Sequence, residues 1–316
     1  MKKIWLVGAG EMALEYVKIL KDIQYPFQVI GRGENSAENF KQKTGVDVIT
    51  GGITDFLQRN EELCSHAIVS VGVEELYLTA MQLLKAGVKN ILLEKPGAIR
   101  KEQLLELQTL ASQQNATVGI GYNRRFYQAT EKAKEIIKED GGVTSFNFEF
   151  TEWSHVIETL EKPKEVFENW FLANSTHVVD LAFFLGGKPK EICSYTSGGL
   201  KWHKSSSIFA GAGISESGAL FSYQANWAAP GRWSVEMLTN KHRLIFRPME
   251  KLQVQNIGSV ATEEVEMDYS MDDKYKPGLY KQVVGFIEGN FSGFCSLKEQ
   301  IEIFDLYIKM ARYNNL

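Results

Sequence analysis

The sequence predicts an α/β protein of two domains. A doubly wound parallel sheet occupies residues 1–121, and an α+β domain with a mostly antiparallel sheet occupies residues 122–316. Three observations predict this. Up to residue 120, short apolar runs alternate with segments of helical period, the pattern of a parallel sheet covered by helices. One run, Ile91-Leu92-Leu93-Glu94-Lys95-Pro96-Gly97, is continuously apolar, as a strand buried on both faces is, then ends in a carboxylate, an ammonium and a proline ring. Beyond residue 121, strand-type segments follow one another with few helical crossovers. Several alternate in polarity, as antiparallel strands with one covered face do.

The bulk numbers agree. At 316 residues the chain exceeds one ordinary core. A hydrophobic content of 44%, charged residues at 23% and a net charge of −4 describe a globular protein. No basic stripe suits a nucleic acid, and mild acidity disfavours an anionic membrane surface. No uncharged apolar run approaches the roughly 20 residues that span a bilayer. Met1-Lys2-Lys3 followed by Ile4 to Val7 opens as a signal peptide does, but Gly8, Gly10 and Glu11 break the run, so a first strand is expected instead. Cys64, Cys193 and Cys295 are odd in number and widely spaced, so reduced thiols and a cytoplasmic setting are expected. The five histidines show no ligand spacing, and no metal is expected.

Taken in order, the strand Ile4 to Val7 runs directly into Gly8-Ala9-Gly10-Glu11-Met12-Ala13 and a helix with apolar Leu14, Val17, Ile19 and Leu20. Gly8 permits the tight turn, Gly10 lets the backbone approach a pyrophosphate, and Ala13 lets the helix pack close to the strand. The helix N-terminus at Glu11 and Met12 then faces phosphate. Strand, motif and helix together point to dinucleotide binding. The second strand, Phe27 to Ile30, ends in Gly31-Arg32-Gly33, where an NAD site places a carboxylate for the ribose 2′-hydroxyl. Arg32 stands there instead, and a guanidinium pairs with a 2′-phosphate and stacks on adenine. NADP is therefore the expected cofactor and NAD the alternative, with Glu34 close by.

A helix over 37–44 and a short strand over 47–50 come next. The strand 67–71 carries Ser70 and Gly72 at its end, and the helix through Leu76, Ala80, Leu83 and Leu84 stops at Gly87. Ligands of open α/β sheets bind beyond the carboxyl ends of the strands. Ser70, Gly72, Glu94, Lys95 and Pro96 therefore join Gly8, Gly10, Glu11, Met12 and Arg32 as expected cofactor-side residues. Pro96 stops the strand and fixes its turn. A helix over 101–113 and a strand over 117–120 complete the sheet.

Gly121-Tyr122-Asn123-Arg124-Arg125-Phe126 marks the joint. A helix over 128–138 ends at Asp140-Gly141-Gly142, and strands are expected over 143–151, 207–212, 219–227, 232–239 and 242–246. A helical segment, 169–185, stops at Gly186-Gly187, and helices over 280–288 and 297–312 close the chain. Five of the six tryptophans lie beyond residue 150. Flat rings beside polar groups suit sugar C–H faces and hydroxyls, which makes Trp153 and Trp170 candidate substrate contacts; the alternative is that most of these rings are core. Of Arg124 and Arg125, one is expected to meet a carboxylate or phosphate on the substrate and the other to make structural hydrogen bonds between the domains.

Gly8-Ala9-Gly10-Glu11-Met12-Ala13, Glu94-Lys95-Pro96, Gly121 to Phe126 and His177-Val178-Val179-Asp180 together resemble the glucose–fructose oxidoreductase / inositol dehydrogenase (Gfo/Idh/MocA) family. The resemblance implies a Rossmann domain followed by a C-terminal domain with a large open, mostly antiparallel sheet. It also implies NAD(P)-dependent oxidation or reduction of a carbinol on a sugar, cyclitol or nucleotide-linked sugar. Homo-oligomers, dimers or tetramers pairing through the open sheet, are implied as well. By position, Lys95 resembles the family lysine that holds the substrate hydroxyl, His177 the acid/base histidine, and Asp180 its structural support. Tyr122, Asn123, Arg124 and Asn174 fall where substrate contacts are expected. The sequence departs from the family where a carboxylate and a glycine often precede the histidine; here Ala173 and Ser175 stand. The expected function is sugar oxidoreduction, with an acidic or nucleotide-activated sugar of surface-polysaccharide synthesis as candidate substrate. A cofactor-binding regulatory or scaffold protein, or a lyase or epimerase using nicotinamide transiently, are the alternatives.

Overall fold

The computed structural model describes residues 3–59 and 62–313; Met1 and Lys2 of the opening stretch lie outside them. In chain order the first elements are β1 (Ile4–Val7), α1 (Glu11–Asp22), β2 (Phe27–Ile30), α2 (Glu34–Thr44), β3 (Val48–Ile49), α3 (Gly52–Gln58), β4 (His66–Val69), α4 (Leu76–Ala86), β5 (Asn90–Leu93), α5 (Lys101–Gln113) and β6 (Thr117–Ile120). There follow α6 (Gln128–Glu139), β7 (Ser145–Glu149), α7 (Ser154–Ile157), α8 (Lys164–Glu168), α9 (Thr176–Gly186), β8 (Pro189–Ser197), β9 (Ile208–Ser215), β10 (Leu220–Asn226), β11 (Ser234–Leu238) and β12 (His242–Phe246). The chain continues through β13 (Gln253–Asn256), β14 (Glu263–Glu264), α10 (Ser270–Lys274), α11 (Leu279–Glu288), β15 (Cys295–Ser296) and α12 (Leu297–Ala311).

Two compact units emerge, one from Met1–Asn123 with Asp273–Phe304, the other from Arg124–Asp272 with Asp305–Leu316. In the first, the sheet order is β15-β6-β5-β4-β1-β2-β3. Strands β1 to β6 pair in parallel, and β15 runs antiparallel to β6. The apolar runs read from the sequence are the central strands: β1 and β4 are buried along their full length, as is β5 from Ile91 to Leu93. The strand order reverses between β1 and β4, so their carboxyl ends, Val7 opposite Val69, form the switch point where ligands of such sheets bind. Residues 273–304 were expected with the second domain. The structure groups them with the first because β15 extends its sheet and α11 packs on α1.

The second unit has an eight-stranded sheet, β14-β13-β12-β11-β7-β10-β9-β8, antiparallel except where β7 and β10 run parallel. That parallel pair aligns Phe146 with Phe221 and Phe148 with Tyr223, and their rings stack at 5.2 and 5.4 Å. Phe183 of α9 meets Phe146, Phe148 and Phe221 edge-on at 5.9, 5.6 and 5.1 Å, which anchors the helix on that face. The helical segment 169–185 is not one helix: Phe171–Ser175 forms a π turn that leads into α9. Helix α3 and the nine-residue β8 were not anticipated. Strand β8 lies at the sheet edge; its burial alternates from Ile192 onward, but its Lys, Glu, Ser and Thr residues mask that period in the sequence. Among the described residues no helix is long and apolar enough to cross a membrane.

Candidate active site

In the first unit, Gly8 ends β1 and donates its N–H to Ile30 O at 2.8 Å. Its φ is +120°, and a Cβ there would lie 2.5 Å from Ser70 O, so only glycine lets the ends of β1 and β4 approach this closely. Gly10 is the N-cap of α1, in extended conformation and without a side-chain cap. A Cβ on Gly10 would touch nothing within 4 Å. The first-turn N–H groups of α1 are therefore unblocked from that side, and such a terminus attracts anions. A cavity of 560 Å³ opens beside Gly10, lined by Gly8, Gly10, Arg32, Ser70, Gly72 and Glu75 among others. Its size suits a small-molecule or cofactor site. Met12 is half-buried. Glu11 points to α2, where its carboxylate pairs with Lys43 at 2.9 Å.

Arg32 lies on the cavity rim, exposed, with Nη1 3.0 Å from Glu75 Oε1. The sequence placed a cation where an acid was expected; the fold brings Glu75 to it from beyond β4, across 43 residues. At the end of β5, Glu94 is buried and accepts the Tyr16 hydroxyl at 2.7 Å. Burial pushes the Glu94 carboxyl up from its ordinary value, against the Tyr16 hydrogen bond and the charges of Lys95 and Lys276. Burial likewise pushes the Tyr16 hydroxyl well up, reinforced by the Glu94 charge. Lys95 is half-buried, and Gln300 Nε2 donates to Pro96 O at 3.1 Å, which fixes the turn after the strand. Tyr122 is buried, and Asn123 donates its side-chain amide to Pro277 O at 2.9 Å.

In the second unit, the buried His177 sits in the first turn of α9, its ring 6.3 Å from that of Trp233. Glu152, three residues beyond β7 and 1% exposed, is held by the π turn that precedes this histidine. Asn174 Nδ2 reaches its two oxygens at 3.0 and 3.1 Å, and Ser175 Oγ donates at 2.8 Å. Arg232 Nη1 stands 3.7 Å from the same carboxylate. The Arg232 guanidinium lies 4.6 Å from the ring centres of both Trp153 and Trp233, and the Arg124 guanidinium lies 4.7 Å from Trp233. Arg125 makes a buried ion pair with Asp180, within this unit. Trp153 is half-exposed and donates its indole N–H to Gly231 O at 3.0 Å. Trp170 is buried against Phe167 and Trp202, as a core ring is.

The residues read from the sequence therefore fall into two groups. Gly8, Gly10, Arg32, Ser70 and Gly72 share one cavity. His177, Asn174 and Arg124 surround Trp233 and Glu152. Glu152, Ser175, Arg232 and Trp233 were not singled out as site residues. Arg232 and Trp233 were expected to open a strand, which begins instead at Ser234. The available signal was Pro230-Gly231, a turn dipeptide. A Cβ on Gly231 would lie 2.5 Å from Glu149 Oε1, so the glycine lets this turn press against the end of β7.

The model of the Gfo/Idh/MocA oxidoreductase family, NAD-binding Rossmann fold, matches residues 2–122. No curated protein sequence matches at a significant level. Among solved structures, an oxidoreductase from Agrobacterium radiobacter in complex with NAD+, L-tartaric acid and magnesium is similar, with TM-score 0.81 and 12% identity over 99% of this chain and 97% of its own. Levoglucosan dehydrogenase in complex with NADH and levoglucosan gives 0.80 and 16%, over 98% and 96%. UDP-N-acetylglucosamine 3-dehydrogenase GnnA from Acidithiobacillus ferrooxidans gives 0.76 and 13%, over 98% and 96%. These likenesses establish a shared fold along nearly the whole chain. Over residues 2–122 the chain therefore matches the Gfo/Idh/MocA oxidoreductase family model, and its parallel sheet has the strand order of a Rossmann fold.

Proposed function

We propose that the protein is an NAD(P)-dependent oxidoreductase that moves a hydride between a nicotinamide and a carbinol or carbonyl of a sugar, cyclitol or nucleotide-activated sugar. The observation that carries this reading is the open approach at Gly10 to the uncapped start of α1, above a cavity of 560 Å³. A dinucleotide fits there: the pyrophosphate takes the backbone N–H groups of Gly10, Glu11 and Met12, and the extended chain follows Ser70 and Gly72. The substrate class is supported by levoglucosan dehydrogenase and the UDP-N-acetylglucosamine dehydrogenase among the structures of like fold.

Arg32 favours NADP, since its guanidinium pairs with a 2′-phosphate by displacing Glu75 from an exposed ion pair worth little. The same Glu75, beside Glu74 on the rim, is the observation that favours NAD. When bound, the nicotinamide supplies the hydride acceptor or donor. His177 takes the hydroxyl proton, for which an imidazole is poised near neutral pH. The Lys95 ammonium stabilises the developing alkoxide. Arg124, Asn174 and Trp153 position the sugar. A homo-oligomer pairing through the open face of the second sheet, where Tyr195, Ile208 and Leu220 are exposed, belongs to the same reading.

Ala173, lacking the carboxylate of many family members, favours a binding protein without turnover. A panel of sugars, sugar acids and nucleotide sugars, followed by nicotinamide absorbance, separates the two. Turnover of one substrate is expected, reduced about a hundredfold or more in Lys95→Ala and in His177→Ala. Turnover that survives both substitutions unchanged would remove these residues from the chemistry.

A further inference from the structure

The guanidinium of Arg232 is clamped but donates no hydrogen bond among the described residues. Trp153 and Trp233 hold it at 4.6 Å from each ring centre, and its ion-pair partner Glu152 is 3.7 Å away, beyond hydrogen-bond reach. Glu152 is already served by Asn174 and Ser175. Contact with two indoles restrains the guanidinium, and the Arg232 side chain remains 47% exposed. Beside it, the indole N–H of Trp233 has no acceptor among the described residues, although the residue is only 6% exposed. Buried donors are nearly always satisfied, so a bare one next to a held cation marks the place of a missing acceptor. A second guanidinium, Arg124, lies over the same indole. Trp153 also lines a cavity of 580 Å³ with Glu152, Ser154, His155, Glu158 and Gly231, the residue before Arg232, so space for a hexose adjoins the clamp.

We infer that Arg232, braced by Trp153 and Trp233, recognises an oxyanion on the sugar, so that the substrate is a sugar acid or a phosphorylated sugar and not a neutral one. A carboxylate or phosphate accepts two parallel N–H bonds from the guanidinium edge, a geometry that a neutral hydroxyl cannot match. The inference takes its sugar from the function proposed above, but it concerns binding, so its test does not need turnover.

The test measures the affinity of the full chain for D-glucose, D-glucuronate and D-glucose 1-phosphate, read by quenching of tryptophan fluorescence and checked by calorimetry. At least one of the two anions is expected to bind ten- to a hundredfold more tightly than glucose, as charge-assisted hydrogen bonds allow. The tighter anion tells whether the oxyanion is the sugar's own carboxylate or a phosphate. Arg232→Gln should abolish that preference, bringing the anion's affinity down to that of glucose. Trp153→Ala, at a half-exposed ring, should weaken the anion by a smaller factor. Equal affinities for all three sugars, no binding of any, or an anion preference that survives Arg232→Gln would each overturn the inference. A protein that prefers the anion yet oxidises nothing would refute the activity and leave the inference standing.

Discussion

Arg125 and Asp180 form a two-point ion pair sealed inside the second unit. Nε lies 2.8 Å from Oδ2 and Nη2 lies 2.5 Å from Oδ1, with the side chains 4% and 1% exposed. Asp180 is one turn along α9 from His177, so the pair ties the helix that carries the histidine to the start of the second unit. Removing one partner strands the other charge away from water, which costs about 3–5 kcal/mol. Asp180→Asn should therefore lower the urea midpoint, followed by fluorescence of the tryptophans, five of which lie beyond residue 150. The double variant Arg125→Met/Asp180→Leu should regain much of that loss, because no buried charge is left bare. A midpoint unmoved in Asp180→Asn would mean that the pair contributes nothing.

The carboxylate of Glu152 makes a testable contribution to the π turn ahead of His177. In Glu152→Ala the donors of Asn174 and Ser175 lose their acceptor, at about 1–3 kcal/mol for each one left buried and unpaired. In Glu152→Gln the amide oxygen still accepts from Ser175, so most of the stability should return. Thermal melts of the two variants side by side check the order wild type, Glu152→Gln, Glu152→Ala. Equal melting of all three would show that the turn holds itself.

Glu94 gives the protein a pH dependence whose sign follows from burial. Its folded carboxyl titrates above the unfolded value, so the folded state holds the extra proton as pH rises past the ordinary glutamate range. Stability from this group is greatest in acid, declines as pH climbs from the unfolded pKa to the folded one, and is flat beyond. Glu94→Gln keeps an oxygen for the Tyr16 hydroxyl without a buried charge. The variant should gain on wild type between acid and neutral pH in melts across that range. A gap that shrinks as pH rises would contradict the assignment.

Much of the fold was legible because its signals are local. Strands β2 and β6 and helix α5 stand where apolar runs, caps and periodicity put them. The turn through Gly8 and Gly10 could be read because its determinants lie within six residues. What escaped the sequence is held by long-range contacts. Glu152 meets Asn174 across 22 residues, and Arg32 meets Glu75 across 43. Residues 273–304 return to the first sheet through β15, a strand of two residues with no periodicity to betray it. Trp170 shows the same limit from the other side: composition marked it for a sugar, while its neighbours Phe167 and Trp202 enclose it.

Titration of the purified protein with NADPH and with NADH, followed by nicotinamide fluorescence and repeated on Arg32→Ala, tests the central claim most directly. Saturable binding of NADPH is expected, tighter than that of NADH and weakened about tenfold or more in Arg32→Ala, as loss of a charge-assisted contact to phosphate requires. NADH bound equally or more tightly would contradict the choice of NADP. A folded protein that binds neither nucleotide would contradict the oxidoreductase reading itself.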